Sequence, residues 1–351
     1  MGLLKFFVMI RYTAYKKYLY YLNHFSTPKK LLNILENRRE YKSGKVRLKS
    51  YPYKYTFDPG NVCNLRCPGC HTGIKHAEMV KPAFMKLKDF KHMFDQVKDR
   101  AISIALYNWG EPFLNKEIFD IIAYANEQKV GTTLHSNFNH FNESMAEEAV
   151  KSGLTHLYLS IDGASQEVYS KYRVKGNIDT VTNNLQIMVD AKRKAKSSLP
   201  FVTWKFLKFP HNEFELETAK AKATEIGVSN FEVFDANLKL MDIYDEAADY
   251  RKEPQRLEVL TSNCKSLWAS IYVGADGTVF PCSLAFRPSE SFGNLLSSDF
   301  KTIWNNEKYV TSRSMFSDQS KLDNVPLPCK GCKYFLKCSS PSKQLQEILV
   351  V

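Results

Sequence analysis

Short apolar runs rich in β-branched and aromatic residues recur through the middle of the chain. Runs of this length, bounded by turn-forming residues, predict buried strands. The six predicted strands are Tyr53–Phe57, Ile102–Tyr107, Thr132–His135, Leu157–Ile161, Phe201–Phe206 and Phe231–Phe234.

Helical patterns fill the gaps between these runs. In Lys116–Glu127 the apolar residues favour one face, and Gly131 follows as a stop signal. The other predicted helices are Asn142–Lys151, Asp179–Lys194 and Glu213–Ile226. Alternating strands and helices predict βαβ crossovers and therefore an α/β fold with a parallel sheet, in which chemistry gathers at the carboxyl ends of the strands.

Past about residue 250 the pattern changes to short strands and turns, with cysteines as the conspicuous feature. We therefore predict three segments: 1–50, a core over 51–250, and a small cysteine-rich domain over 251–351. With 44% hydrophobic and 25% charged residues, the composition is that of a globular protein. No run of about 18 apolar residues and no signal-peptide pattern occurs, so the cytoplasm is the expected location.

The eight cysteines fall into two groups, one of three near residue 65 and one of five near the carboxyl terminus. Tight cysteine spacings in a chain of this size indicate metal or cluster ligands rather than disulfides. Cys63, Cys67 and Cys70 follow the first predicted strand with the spacing Cys-x3-Cys-x2-Cys. Three thiolates leave one iron of a [4Fe–4S] cluster open. The alternatives are a zinc knuckle completed by His71, or unconnected core cysteines.

This loop resembles the signature of the radical S-adenosylmethionine (SAM) superfamily, and the resemblance covers about residues 50 to 340. It implies a partial (β/α)6 TIM-like barrel, a [4Fe–4S] cluster on the three cysteines, and SAM as cosubstrate. In that family, reductive cleavage of SAM gives a 5′-deoxyadenosyl radical that abstracts hydrogen from the substrate. The resemblance also implies a reductase partner such as flavodoxin or ferredoxin.

Later motifs extend the resemblance. Gly110 and Glu111 resemble part of the Gly-Gly-Glu motif that binds the methionyl ammonium of SAM, with Trp109 in place of the first glycine. Ser136 and Asn137 stand where relatives often carry Thr-Asn, which predicts that they line the SAM cleft. Taken alone, Gly-Glu-Pro is an ordinary turn.

Two further residues, Ser160 and Arg173, resemble the pair that contacts the ribose and carboxylate of SAM in the peptide-modifying branch. An exposed helix arginine is the alternative for Arg173. The aromatic residue usually found before the third cysteine is Gly69 here, so the adenine contact must come from elsewhere. Trp204 is a candidate for it, and a buried core tryptophan is the alternative.

The carboxy-terminal cysteines resemble the SPASM and twitch extensions of radical SAM enzymes. That resemblance implies one auxiliary [4Fe–4S] cluster held by Cys264, Cys282, Cys329 and Cys332. Cys338 is then spare, as a core residue, a replacement ligand or the hydrogen donor of an epimerase. A zinc ribbon is the alternative for this domain.

Residues 1–50 carry +10 of the chain's net charge of +12. On a helical wheel of residues 3–25 the polar and basic residues except Arg11 share about a third of the circumference, and aromatic and aliphatic residues fill most of the rest. We expect this segment either to dock on an anionic membrane surface, at the inner membrane face, or to pack on the barrel and close its open end. Nucleic acid ranks third, because no known binding fold accompanies the charge.

The expected function is a radical SAM oxidoreductase or maturase that oxidises, epimerises or cross-links its substrate. Two substrate classes compete, a peptide or protein and a sugar or lipid-linked molecule. The alternative outside enzymology is a non-catalytic iron–sulfur or zinc scaffold that binds nucleic acid through residues 1–50.

Overall fold

The computed structural model of the protein describes residues 19–70, 72, 81–228, 230–236, 264–316 and 328–329. In this part of the chain one sheet of nine strands forms the centre of the fold. The strands are β1 (Lys54–Phe57), β2 (Ser103–Ala105), β3 (Gly131–Ser136), β4 (His156–Ser160), β5 (Phe201–Lys208), β6 (Asn230–Asp235), β7 (Ser270–Val273), β8 (Thr278–Phe280) and β9 (Gly293–Asn294).

The sheet order is β6-β5-β4-β3-β2-β1-β7-β8-β9, so β1 to β6 lie side by side in chain order. All five pairs among them are parallel, as is the pair of β1 with β7, whereas β8 and β9 are added antiparallel. Strands β6 and β9 end the sheet without pairing to each other. The predicted α/β class and partial (β/α)6 barrel are confirmed, and the barrel is open.

Helices lie between the successive parallel strands, and others precede β1 or follow β9 in the sequence. They are α1 (Pro28–Lys42), α2 (Leu87–Phe94), α3 (Ile118–Glu127), α4 (Glu143–Lys151), α5 (Gln166–Tyr172), α6 (Ile178–Lys194), α7 (Leu216–Ile226), α8 (Ser266–Ala269), α9 (Phe300–Trp304) and α10 (Glu307–Ser314). Side-chain caps begin several of them, such as Asn142, which accepts from the Met145 N–H, and Asn177, which accepts from the Thr180 N–H. The four predicted helices correspond to α3, α4, α6 and α7, with starts shifted by a few residues.

The two faces of the sheet differ in polarity. Residues such as Phe57, Leu134 and Phe206 are fully buried and belong to the core formed with the outer helices. Trp204 is also fully buried there and its Nε1 donates to the Ile161 carbonyl at 2.8 Å, which confirms the core role instead of an adenine contact. Because strand side chains alternate, the residues between them face the concave side of the open barrel. We call that space the lumen.

Residues 19–25 are helical and close the amino-terminal end of the lumen. A Cβ atom on Gly131, at the start of β3, would lie 2.7 Å from the Tyr21 ring and 2.8 Å from the Phe25 ring. The Tyr21 hydroxyl lies 3.3 Å from the Thr133 hydroxyl, and Phe25 is buried. This part of the amino-terminal segment therefore follows the barrel-closing alternative, whereas residues 1–18 lie outside the described residues.

The sheet crosses the boundary predicted near residue 250. Strand β7 pairs with β1 in the register Tyr55 with Ile271, and the Asn37 Nδ2 of α1 donates to the Trp268 carbonyl at 2.7 Å. The division into residues 1–50, 51–250 and 251–351 stays a prediction. Among the described residues, no helix has the length and apolarity needed to cross a bilayer.

Candidate cluster and cofactor site

The cluster loop, residues 58–70, follows β1 and is fixed by backbone hydrogen bonds from two sides. The Glu111 N–H, in the loop after β2, donates to the Val62 carbonyl at 2.8 Å. The Arg66 N–H donates to the Val174 carbonyl, just past α5, at 3.0 Å. These bonds place the loop at the carboxyl ends of the parallel strands, where chemistry was expected.

The three thiols of this loop pack in one small apolar cluster with Leu65, Tyr172 and other residues. Asn137 Nδ2 lies 3.6 Å from Cys63 Sγ, and Arg173 Nη1 lies 3.7 Å from Cys67 Sγ. Burial raises the pKa of Cys63 to about 11, while for Cys67 burial raises the pKa and the Arg173 charge opposes it. Without a metal these thiols are protonated, and cluster iron would deprotonate them.

The loop after β2 lies against the cluster loop. A Cβ atom on Gly110 would overlap the carbonyl oxygen of Gly60, so only glycine allows this close approach of the two backbones. Trp109 N–H donates to Asp58 Oδ2 at 3.1 Å, and the Trp109 carbonyl accepts from the Thr72 hydroxyl. Gly110 therefore sets the position of the loop, and its contact with SAM stays a prediction.

Glu111 is buried and its carboxylate is bonded within the protein. It accepts from Ser136 Oγ at 2.7 Å, from the Asn137 N–H at 2.8 Å and from the Phe113 N–H at 3.2 Å. Burial raises the pKa of Glu111 to about 7 against these bonds. The geometry makes Glu111 a brace between the ends of β2 and β3, and through it Ser136 and Asn137 are held beside the cluster loop.

The turn after β3 aims Asn137 at the cluster loop. Its Nδ2 donates to Asn64 Oδ1 at 2.9 Å as well as approaching Cys63 Sγ, while its Oδ1 accepts from the Asn139 N–H at 2.9 Å. The next residue, Phe138, has φ of 60°, a left-handed conformation that is costly for a bulky residue. It is held there by full burial against Phe113 and Phe141. The strained turn keeps the amide pointed at Cys63.

Arg173 is a partly buried residue at the end of α5, not an exposed helix arginine, since its side chain is 14% exposed. Its Nε donates to Asp162 Oδ2 at 2.6 Å, and Asp162 Oδ1 accepts from the Leu207 N–H at 2.7 Å. This pair fixes the guanidinium with Nη1 toward Cys67. Ser160 ends β4 opposite Lys205 of β5 and is half-buried, and the contacts of both residues with SAM stay predictions.

The residues present fit a [4Fe–4S] cluster with an open iron. The loop presents three thiols, each in an apolar setting, with an amide and a guanidinium donor directed at two of the sulfurs. Among the described residues no three His, Cys, Asp or Glu side chains converge closely enough for a single metal ion. His71, the candidate fourth ligand of a zinc knuckle, lies outside the described residues.

The carboxy-terminal thiols that the structure describes lie around two tyrosines, one buried and one half-buried. Cys264 and Cys282 act electrostatically on Tyr272, which is hydrogen-bonded to Ser283 and Ser266 side chains. Cys282 and Cys329 act in the same way on Tyr309. The sequence therefore brings three of the four predicted auxiliary ligands into one region, while Cys332 and Cys338 lie outside the described residues.

Comparison with protein families agrees with this geometry. Residues 57–203 match the model of the Radical SAM superfamily, and residues 264–333 match the SPASM model, an iron–sulfur cluster-binding domain. The solved structure of SuiB from Streptococcus suis bound to S-adenosylmethionine superimposes with a TM-score of 0.60 at 15% identity. The match covers 79% of this chain and 72% of that chain, and it shows the fold.

The curated relatives are named for different reactions. AdoMet-dependent heme synthase of Methanosarcina barkeri is 22% identical over 79% of this chain and 87% of its own length. PqqA peptide cyclase of Granulibacter bethesdensis is 21% identical over 77% of this chain and 76% of its own. Fe-coproporphyrin III synthase of M. barkeri is 27% identical over 35% of this chain, and the match spans 30% of that relative's length.

Two features of the site were missed at the level of sequence. Asp162 was visible only as part of the motif around Ser160, yet it is the fully buried partner that fixes Arg173. Lys205 falls inside the predicted strand Phe201–Phe206, and its polar side chain interrupts the apolar run at a position that alternation assigns to the lumen. Strand alternation was the signal that would have found it.

Proposed function

Because the chain belongs to the radical SAM superfamily and carries a SPASM domain behind the core, we propose that it oxidises or cross-links a peptide substrate by SAM-dependent radical chemistry. The observation that carries the proposal is the cluster loop, on which three thiols stand beside Asn137 and Arg173 at the mouth of an open polar lumen. A loop of this kind, facing a lumen, can generate a radical next to a bound substrate.

The Radical SAM domain implies a [4Fe–4S] cluster that supplies the electron for cleavage of SAM, and the SPASM domain implies auxiliary iron–sulfur clusters that accept an electron from the substrate. The protein's own residues orient and shield this chemistry. Arg173, held by Asp162, keeps a positive charge beside the Cys67 thiolate. Glu111 holds the Asn137 turn, and the helical residues 19–25 keep water from the far end of the lumen.

Support for a peptide comes from the names of relatives, since a PqqA peptide cyclase matches most of the chain. The heme synthase matches as much of the chain, and an activity assay with peptides separates the two substrate classes. The proposed oxidation removes two hydrogens. One would leave as an atom to the 5′-deoxyadenosyl radical, which becomes 5′-deoxyadenosine, and the other would leave as a proton, while an auxiliary cluster on the carboxy-terminal cysteines would supply the acceptor for the remaining electron.

The test uses the anaerobically reconstituted full chain with dithionite, SAM and the short peptides encoded beside its gene, in deuterated water. We expect 5′-deoxyadenosine and a peptide product lighter by two hydrogens, measured by mass spectrometry. A peptide that loses no hydrogens but exchanges one hydrogen for deuterium would indicate epimerisation instead of oxidation. SAM cleavage without any altered peptide would overturn the substrate class and leave the radical chemistry standing.

A further inference from the structure

Lys205 lies on the lumen face of β5, directly below the cluster loop. Two residues farther along the same face, Leu207 packs against the apolar cluster that contains Cys67. Two residues advance about 6–7 Å along a strand, so Lys205 is one pleat from the loop. A group bound by its ammonium would lie where the radical chemistry takes place.

The Lys205 ammonium lacks a carboxylate partner among the described residues. Its Nζ lies 4.8 Å from the centroid of the Phe234 ring, a cation–π contact. The two nearby acids are engaged elsewhere, because Asp162 pairs with Arg173 and Glu232 accepts from Asn230 Nδ2 at 2.7 Å. Burial lowers the pKa of Lys205, as expected for a partly desolvated ammonium.

The rest of the lumen wall is polar and flat. Tyr107, just past β2, stacks on His135 of β3 with 3.8 Å between ring centroids, and His135 lies at a tilt to Tyr158 of β4 with 4.4 Å between ring centroids. These rings offer hydrogen-bonding edges and planar faces, and none of them has the permanent positive charge of a lysine or an arginine. Arg173, the neighbouring cation, is paired with Asp162, and we therefore take Lys205 as the charge that selects a ligand on this side of the lumen.

We propose that Lys205 binds a carboxylate of the substrate, which is the side chain of an Asp or Glu residue or the carboxyl terminus of the peptide. A carboxylate at Lys205 compensates a half-buried ammonium whose one partner in the described part of the chain is the Phe234 ring. The peptide origin of the carboxylate rests on the proposed function. The carboxylate site itself rests on the geometry of Lys205.

The experiment measures the acetylation rate of individual lysines by mass spectrometry on the reconstituted, SAM-bound protein. The probes are N-acetylglutamic acid amide and its neutral counterpart N-acetylglutamine amide. Lys208, on the same strand and paired with Asp235 at 2.9 Å, is the internal control. We expect the glutamate probe to slow acetylation of Lys205 at least fivefold, and to leave Lys208 and the glutamine arm unchanged.

Matched variants check the same site by calorimetry. Lys205→Met should weaken binding of the glutamate probe at least tenfold, and Lys208→Met should leave it unchanged. Equal protection by both probes would overturn the proposal. Protection by SAM alone, with nothing added by the glutamate probe, would assign the carboxylate to SAM and also overturn it. Because acetylation is read without turnover, a failure of SAM cleavage is a separate result.

Helix α1 carries an independent observation, because its polarity is inverted. Its buried side chains are polar and bond to groups of the segment before β1, of α8 and, for Lys30, of Lys129 just past α3. Asn33 Nδ2 donates to the Tyr51 carbonyl at 3.1 Å, and Glu40 Oε2 accepts from the Ser50 N–H at 3.0 Å. The buried residues of α1 are Lys30, Asn33, Asn37 and Glu40.

The opposite face of α1 is apolar and basic. Leu31, Leu32 and Leu35 are 39%, 64% and 61% exposed. At 100° per residue these leucines share an arc of roughly 120° with the basic residues of the second half of the helix. Those basic residues are Arg38, Arg39 and Lys42, all exposed. Glu36 lies at the border of the arc.

We infer that this face of α1 binds the surface of an anionic bilayer. Leucine side chains would enter the headgroup boundary while the arginines and the lysine contact lipid phosphates, each cation adding to the attraction. The charge of the surrounding segment is complementary to such a surface, since residues 1–50 carry a net charge of +10. This inference extends the membrane expectation from residues 1–25 to α1.

The test is sedimentation of the full chain with vesicles of phosphatidylcholine, with or without 30% phosphatidylglycerol. Binding should require the anionic lipid, weaken in 0.5 M salt, and fall at least tenfold in Leu32→Ser/Leu35→Ser. Phe214→Ser, which removes a side chain 72% exposed elsewhere, is the matched control and should bind unchanged. Equal binding to neutral vesicles, full binding by the leucine variant, or a leucine-dependent dimer without lipid binding would each overturn the inference.

Discussion

The Cys63→Ala/Cys67→Ala/Cys70→Ala variant releases neither methionine nor 5′-deoxyadenosine when it is incubated anaerobically with dithionite and SAM. The reason is that these three thiols are the candidate cluster ligands and pack together on the cluster loop. The variant should also lose about four irons per chain. Chromatography of the nucleoside and a colorimetric iron assay give the two readouts.

A matched control for this variant lies in the second cysteine group. Cys264→Ala should lose about four irons as well, because Cys264 belongs to the predicted auxiliary site, yet it should still cleave SAM. Circular dichroism shows whether either variant is misfolded. Undiminished cleavage by the triple variant would remove the assignment of the cluster loop, and lost cleavage in Cys264→Ala would mean that the two sites are not separable.

The parallel strands could be predicted because most of them are short runs rich in β-branched and other apolar residues. The run Thr132–His135 became β3, Gly131–Ser136, since it contains two β-branched threonines and Leu134, which is buried in the core. The same reasoning located the site, because motifs that follow successive parallel strands must meet at one end of the sheet. Cys63 and Asn137 are 74 positions apart in the chain, and the structure brings Asn137 Nδ2 within 3.6 Å of Cys63 Sγ.

Helix α1 and the place of β7 could not be predicted in the same way. Hydrophobic periodicity assumes that the apolar face is the buried one, and in α1 the buried face is made of residues such as Asn33 and Asn37, whose amides bond to backbone. Strand β7 spans four residues, and its partner β1 lies some 210 positions earlier in the sequence. A pairing of that separation depends on how the chain closes in space, which local pattern does not encode.

Contacts between polar residues could not be predicted from the sequence either. The resemblance of Ser160 and Arg173 to a SAM-binding pair implied that both contact SAM, but not that Asp162 between them fixes the arginine. The turn after α5 brings the guanidinium back over the end of β4, and only the three-dimensional path of that turn shows the ion pair. The buried pair links the cluster loop to the barrel, which leads to the second large effect.

Arg173→Met should lower the free energy of unfolding by about 3–5 kcal/mol, measured by urea denaturation, and should also impair SAM cleavage. The loss of stability is large because Asp162 has a fully buried carboxylate, which would keep only the Leu207 N–H as a partner. The loss of activity follows because the guanidinium is the positive charge next to Cys67 Sγ.

The control for Arg173→Met is Lys171→Met, which removes an exposed cation whose partner Glu167 lies 3.7 Å away, and it should cost under about 0.5 kcal/mol. The double variant Asp162→Asn/Arg173→Met should be less destabilised than the sum of the two single variants, because it removes both charges of the pair. The electron paramagnetic resonance spectrum of the reduced cluster with SAM separates a structural role of Arg173 from a direct effect on the cluster. If the role is purely structural, the spectrum of the molecules that stay folded should be unchanged. Wild-type stability in Arg173→Met would show that the pair does not hold the loop, and a wild-type spectrum would show that the guanidinium does not act on the cluster site.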